Sequence, residues 1–161
     1  MSGWLARLLG RAEPVLRDAR VADAGAISAL HAASFRRGWS EPEMERLLLE
    51  ASVVADCAAA GPQLAGFILS RRAADEAEIL SVAVALRRQG EGLGGRLLER
   101  HLRRLAGFGT RTVFLEVEEG NAPARRLYAR AGFREAGKRP GYYAKGAGGA
   151  AHAMVLRRDL E

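Results

Sequence analysis

The order of elements legible in this chain predicts an α/β domain, a single mixed and largely antiparallel sheet with helices on both faces. Three observations carry that expectation. Residues 79–84 form a short, partly β-branched apolar run that enters a glycine cluster and then an amphipathic helix, which reads as strand, turn and crossover helix. Residues 52–58 and 63–71 read as two strands joined across Gly61-Pro62, a link that suits an antiparallel hairpin. Only the strand-helix-strand passages around residues 79–117 and after them suit a parallel crossover.

Taken in order, residues 1–14 are an N-terminal extension, a short basic amphipathic stretch closed off by Pro14, and residues 15–161 are the domain. Residues 15–20 are a first strand, and Asp23 is placed to cap a helix running to about Ser34 with Ile27 and Leu30 inward. Residues 35–39 are a loop. Ser40-Glu41-Pro42-Glu43 has the form of a capping box with proline in the first turn, opening a second helix that packs Met44, Leu47 and Leu48. The hairpin then leads through Ala73-Ala74-Asp75 into the apolar run. After the glycines, Leu93, Leu97, Leu98, Leu102 and Leu105 share one helix face, while Arg96, Glu99, Arg100, Arg103 and Arg104 share the other. Residues 112–117 are the fifth strand, and Asn121 caps a fourth helix that ends near Gly132. Two strands, about 133–139 and 152–158, flank a glycine-rich loop at 141–150.

Composition narrows the function classes. A chain of 161 residues buries about two-thirds of its unfolded surface and forms a core without staples. Cys57 is the lone cysteine and His31, His101 and His152 are scattered, so no metal site is expected. No apolar run approaches the ~18 residues of a membrane span, and the opening stretch is too interrupted by arginine for a secretory segment, so a cytoplasmic protein is expected. The net charge of +6 is nearly all arginine, placed mostly on outer helix faces (Arg100, Arg103, Arg104, Arg125, Arg126, Arg130). Without an aromatic-interleaved basic patch, these read as solvated residues, and no direct nucleic-acid binding is expected.

The glycine cluster is the first candidate site. Gly90, Gly92, Gly94 and Gly95 let the backbone approach a ligand, and the first-turn N–H groups of the helix they open attract phosphate. Gly90-x-Gly92-x-x-Gly95 formally satisfies the dinucleotide fingerprint, with Glu116 on the next strand, yet the repeated strand-helix units of such a domain are missing upstream. A nucleotide triphosphate loop fails, since Arg96-Leu97 follows the last glycine instead of Lys and a hydroxyl. A third reading takes Gln89-x-x-Gly92-x-Gly94, which resembles the pyrophosphate loop of the GCN5-related N-acetyltransferases (GNAT). Arg87-x-x-Gly90-x-Gly92 fits the same pattern in another register.

A second stretch sharpens the resemblance. Leu115-Glu116-Val117, then Asn121, Leu127-Tyr128 and Gly132-Phe133 stand at the intervals of the bacterial ribosomal-protein-alanine N-acetyltransferases, the RimI type. Trp39-Ser40-Glu41 is similar to that family's Trp-Ser-Glu, and Arg139-Pro140-Gly141-Tyr142-Tyr143 to its Arg-x-x-Tyr-Tyr. The resemblance covers roughly residues 15–158 and implies a GNAT-like fold, acetyl-CoA as co-substrate, and a protein N-terminus as acceptor, that of a ribosomal protein in this family. It implies pyrophosphate held by Gln89, Gly90, Glu91, Gly92, Leu93, Gly94 and Gly95. It also implies a pantetheine arm paired along Val82, Ala83 and Val84, whose main-chain N–H stabilises the oxyanion, and cofactor contact by Asn121.

Transfer from a thioester to an amine needs a neutral nucleophile, oxyanion stabilisation and a proton for the departing thiolate. Glu116, ending a strand beside the glycine-loop strand, has the place of the base that the resemblance assigns to it. Tyr128 lies about two helical turns into the helix that Asn121 opens, and the resemblance gives it the acid role. Trp39, Tyr142 and Tyr143 are candidates for the acceptor groove, with packing roles as the alternative. Glu118-Glu119-Gly120 replaces the family's Arg-x-Ser and His152 its Asp, both near the acceptor entrance. A small amine or lysine as acceptor, or a non-catalytic acyl-CoA-binding protein, are the competing readings. A monomer or weak dimer is expected.

Overall fold

The computed structural model describes residues 12–35, 37–143 and 151–160, with the side chains of 138–143, 151 and 152 left out of the description. Strands β1 (Val15–Asp18), β2 (Val53–Ala60), β3 (Gln63–Ala73), β4 (Glu76–Val84), β5 (Thr112–Glu118), β6 (Arg134–Tyr143) and β7 (Ala151–Asp159) form one sheet in the order β1-β2-β3-β4-β5-β7-β6. Helices α1 (Ala24–Ser34), α2 (Glu41–Leu49), α3 (Leu93–Gly107) and α4 (Ala122–Arg130) complete the described elements, in the order expected from the sequence. Every neighbouring pair is antiparallel except β4 and β5, which α3 connects. The sheet is therefore mixed and mostly antiparallel, as expected, with its single parallel pair at the centre.

Two cores lie on its two faces. On one, the leucine stripe of α3 and the inner side of α4 pack with Ile68, Ile79, Val113, Leu115, Val117 and Met154. On the other, Ile27 of α1 and Met44 of α2 pack with Cys57, Phe67, Leu69 and Ala83. Gly66 sets how closely α3 lies on the sheet: a Cβ there would stand 2.9 Å from Leu97 Cδ1 and 3.1 Å from the Ala83 carbonyl oxygen. Ser40 accepts from the Glu43 N–H while Glu43 accepts from the Ser40 N–H, so the expected capping box opens α2.

The structure departs from expectation at two places. Asp23 makes no side-chain cap to α1; its carboxylate instead accepts from the Arg20 N–H at 2.7 Å and from both Arg17 terminal nitrogens at 2.8 Å. It closes a 3-10 turn at Val21–Asp23 rather than the helix, because the guanidinium of β1 claims it first. β6 runs on to Tyr143, into the stretch expected to be loop, because it stays paired with β7 as far as Ala151. The remainder of that loop, 144–150, and residues 1–11 of the expected extension lie outside the described residues. The end of that extension is tied down: the Ala12 carbonyl accepts a 2.9 Å bond from Arg88, a buried side chain in the turn before the glycine loop.

Candidate functional site

β4 and β5 pair over four residues only, Glu76 with Thr112 through Ile79 with Leu115. There a bulge enters β4. Leu69 faces Ser81 and Ser70 faces Ile79, so Leu80 is a surplus residue with no opposite number on β3. Beyond it β4 stays bonded to β3 as far as Val84, and β5 to β7 as far as Glu118, while the two central strands no longer pair with each other. The bulge also shifts the alternation of side chains. Ala77 and Ile79 face the α3 side before it and Val82 and Val84 after it, whereas Leu80 and Ala83 face α1 and α2. The backbone edge of Val82, Ala83 and Val84 towards β5 is thus open to an extended group lying in the gap.

The glycine loop stands at the mouth of that gap. After the 3-10 turn Leu86–Arg88, Gln89 folds its amide back to the Val84 carbonyl at 3.2 Å. Gly90 and Gly92 take φ of 83° and 77°, a left-handed backbone that disfavours any other residue, and Gly92 is the N-cap of α3. No side-chain group caps α3, so the first-turn N–H groups of Leu93, Gly94 and Gly95 carry the positive end of a 15-residue helix outward. A Cβ at Gly90, Gly92 or Gly95 would meet nothing within 4 Å, whereas one at Gly94 would lie 3.6 Å from Leu127 and 3.7 Å from Val84. The loop therefore shows one side to open space and uses Gly94 to bring α3, α4 and the end of β4 together. Glu91 lies in this loop, exposed. The cradle suits a phosphate-bearing ligand whose tail enters between the strands.

Two candidate proton carriers reach this region from opposite faces of the sheet. Glu116, the first residue of β5 beyond the parallel pairing, is half-buried and shares its face with Phe114 and Val155. Tyr128 is buried on the α3 side, its ring edge-on to Phe133 at 5.8 Å. Asn121 caps α4 through Oδ1, which accepts from the Ala124 N–H at 3.2 Å. Trp39 is set by His31: the rings stack at 4.4 Å, and the Trp39 N–H donates to Nδ1 at 3.1 Å. That bond leaves the imidazole proton on Nε2, and burial holds His31 below its ordinary pKa, so it is neutral at pH 7. Tyr142 and Tyr143 lie on β6 at the strand-gap end of the sheet, Tyr143 opposite Ala151; their side chains lie outside the description.

Two hollows mark the face that carries Glu116. One, of about 320 Å³, is lined by Glu76, Glu78, Phe114, Glu116, Val155 and Arg71 among others. The second, of about 430 Å³, runs from Trp39 and Leu47 to Leu80 and shares Arg71 with the first.

Sequence reasoning missed a polar cluster behind the site. Asp56 of β2, His101 of α3 and Ser70 of β3 are fully buried and linked by two bonds of 2.6 Å, His101 Nδ1 to Asp56 Oδ2 and His101 Nε2 to Ser70 Oγ. Burial alone would raise the Asp56 carboxyl, but His101 and the Arg104 guanidinium hold it below the usual carboxylate value. Burial lowers His101 despite Asp56, so the imidazole is neutral, donating from Nδ1 and accepting from the Ser70 hydroxyl. Arg100 and Arg104, expected to be solvated, also reach Asp56 Oδ1 at 3.0 and 2.8 Å; a buried carboxylate draws them under the helix. The signal was present: Asp56 interrupts an apolar strand and His101 interrupts a leucine stripe.

Residues 25–133 match the sequence profile of the acetyltransferase (GNAT) family. Over 94 residues the chain is 38% identical to the [ribosomal protein bS18]-alanine N-acetyltransferase of Haemophilus influenzae, covering 58% of this chain and 64% of that protein. The fold superposes on the crystal structure of the ribosomal-protein-S18-alanine N-acetyltransferase from Escherichia coli with a TM-score of 0.84 and 26% identity, covering 92% of this chain and 94% of that one. It is also similar to yncA of Salmonella typhimurium, solved with acetyl-CoA, at a TM-score of 0.83 over 93% and 95% of the two chains; at 20% identity this likeness is one of fold.

Proposed function

The chain belongs to the acetyltransferase (GNAT) family, and on that premise we propose that it transfers acetyl from acetyl-CoA to a protein N-terminus, the N-terminal alanine of a small-subunit ribosomal protein being the expected acceptor. The observation that carries this reading is the parting of β4 and β5 at Leu80, with a glycine-capped helix end on one side and Glu116 on the other. The relatives named above are consistent with it in activity and acceptor, and the solved neighbour with acetyl-CoA in its co-substrate.

The residues fit such a ligand. Gln89, Gly90, Glu91, Gly92, Leu93, Gly94 and Gly95 would hold its pyrophosphate, by open glycine surface and first-turn N–H groups. The open edge of Val82, Ala83 and Val84 would take the pantetheine arm as an added strand, and Asn121 would contact it at the start of α4. Acetyl-CoA, when bound, supplies an activated acetyl thioester. Glu116 would take the proton of the incoming amine from the acceptor face, directly or through water. Tyr128, on the opposite face, would give its phenol proton to the departing sulfur, and a main-chain N–H in the Val82 to Val84 segment would hold the developing negative charge on the acetyl oxygen.

The acceptor follows from acidity. At pH 7 freeing an α-amine (pKa near 7.7–8.0) costs roughly 1 kcal/mol, whereas freeing a lysine (near 10.4) costs nearly 5. One carboxylate base suits the first. Trp39, Tyr142 and Tyr143 are proposed to wall the acceptor groove. No described helix is long and apolar enough to cross a membrane, and we place the reaction in the cytoplasm, carried out by a monomer or weak dimer without direct nucleic-acid contact.

Short peptides beginning with Ala, Ser or Met, the same peptides N-terminally blocked but carrying an internal Lys, and a panel of small amines should be offered with acetyl-CoA, and the acetyl group located by mass. Acetylation of the free N-termini is expected. Preference for blocked peptides or small amines overturns the acceptor assignment. Failure to release thiol with any amine, while acetyl-CoA at a hundredfold over its Kd adds about 2.7 kcal/mol of stability, favours an acyl-CoA-binding protein instead.

A further inference from the structure

We propose that Arg88 is a positioning residue for the cofactor loop, tying residues 12–18 to it as a strap that keeps the loop in its ligand-ready form. This rests on the acetyl-CoA reading above for what the loop binds, and deepens it by naming what holds the loop still.

The loop has little packing of its own. Gln89, Gly90, Glu91 and Gly92 are all exposed, and a Cβ at either glycine would meet nothing within 4 Å. Glycine also loses more backbone freedom on ordering than any other residue, so an ordered loop depends on its two ends. Both ends are buried. Leu93 enters the leucine core at one of them, and Arg88 at the other is only 6% exposed. An apolar side chain would fill that second place without the cost of burying a guanidinium. Arg88 has no ion pair among the described residues, and its Nε is buried without a hydrogen-bond partner. What the guanidinium does is reach 76 positions back along the chain, where it donates a 2.9 Å bond to the Ala12 carbonyl.

The receiving segment is built stiff. Pro14 is buried and fixes its own φ, and a residue before proline is held extended, which sets Glu13 and with it the Ala12 carbonyl at small entropic cost. β1 follows at once, an edge strand paired with β2 alone. At its far end Asp18 accepts from Arg100 at 2.6 Å and pairs with Arg104 at 3.3 Å, while Leu16 packs into the α3 core. The strap thus grips the supports of the loop twice, at Arg88 before the glycines and at Arg100 and Arg104 on the helix after them. Arg87 ties the same turn to β3 through the Leu64 carbonyl at 3.3 Å. The turn that launches the glycines is therefore held from β3 and from the N-terminal segment at once.

Calorimetry with coenzyme A, hydrogen exchange of the ligand-free chain and steady-state kinetics on the full-length protein test this. Arg88→Met should weaken coenzyme A about tenfold, the scale of one charge-assisted hydrogen bond, and speed amide exchange at residues 89–92 by a similar factor. The KM for acetyl-CoA should rise in step while kcat at saturation stays as it was. Arg88→Lys, which keeps a donor for the carbonyl, should lie between the two. Asp18→Asn, which loosens the strap from its other end with Arg88 in place, should move loop exchange and affinity the same way by about two- to threefold. Arg103→Met, on the exposed side of α3, should change neither. Parent-like affinity and loop exchange in Arg88→Met, a lysine variant as weak as the methionine one, or a kcat that falls while KM holds would each overturn the proposal. If Arg88→Met does not fold, parent-like loop exchange in Asp18→Asn overturns it. If the parent chain binds no coenzyme A, the acetyl-CoA reading falls, and the exchange rates alone decide whether the strap holds the loop.

Discussion

Asp56, His101 and Ser70 are linked by hydrogen bonds with no solvent access, while Glu116 and Tyr128 stand on either side of a break in the sheet. The first group has the residue types and order of contacts of a nucleophilic triad, carboxylate to imidazole to hydroxyl. It is nevertheless enclosed between α3 and the sheet, with Arg100 and Arg104 supplying the charge the carboxylate needs. The second group looks weaker by composition, a strand-end glutamate and a helix tyrosine, but lies where backbone edges are open and hollows reach the surface. Access and an unused ladder edge, rather than residue type, separate a candidate reaction site from a polar anchor. The two groups should therefore fail differently when disturbed, one in stability and the other in turnover.

The largest effect is expected in the enclosed cluster. Asp56→Ala leaves His101 and two guanidinium groups facing an empty buried position and should cost about 3–5 kcal/mol of unfolding free energy, read by urea titration. If that variant keeps its full stability, Asp56 is not the anchor of α3. At the open site, Tyr128→Phe should lower kcat on the order of a hundredfold or more, equivalent to about 2.7 kcal/mol of barrier, with little change in urea midpoint or acetyl-CoA affinity. Unchanged turnover would return Tyr128 to the core. Glu116→Gln should resemble it, with a displaced pH profile of kcat/KM as its separate mark.

Ser70→Ala comes next. It removes the donor to His101 Nε2 and leaves a buried acceptor without its hydrogen, which should cost about 1–3 kcal/mol of stability while kcat stays as it was. The smallest effect is with pH. His101 and His31 are both held by burial below 6.5, so the unfolded chain binds their protons more readily than the folded one. Their contribution is complete above about 6.5 and drains as the pH falls through the interval beneath it; the Asp56 and Asp23 carboxylates, held below 3.8, add their own loss only in stronger acid. Thermal midpoints should be level from pH 7 to 8 and decline below 6.5. A midpoint that rises on acidification over that range contradicts the neutral assignment of both imidazoles.

What the sequence made legible follows from the range of the interactions involved. The capping box at Ser40 and the cap at Asn121 use partners three residues away, and the leucine stripe of α3 repeats within one helix, so local pattern suffices. The glycine loop was legible for the same reason. Asp23 misled because its competitor, Arg17, sits on the preceding strand, where spacing along the chain says nothing about reach. The Asp56 cluster joins residues 31 and 45 positions apart, and the hollow by Glu116 is assembled from four strands. Such features depend on sheet order, which no single stretch encodes, although an aspartate in an apolar strand and a histidine in a leucine stripe did announce that a partner existed.

Leu80 shows how little genetic change separates a sealed sheet from an open one. Two strands that had continued in step beyond Ile79 and Leu115 would present no vacant edge between them, and the surplus residue is what puts them out of step. Odd and even positions exchange roles at that point, and the loss of a single codon there would restore an unbroken alternation, with Val82 and Val84 still against the leucines of α3 but no surplus residue left to put β4 out of step with β5. Selection at this position acts on a count rather than on a side chain, and a survey of tolerated substitutions would find Leu80 permissive to other apolar residues yet intolerant of deletion.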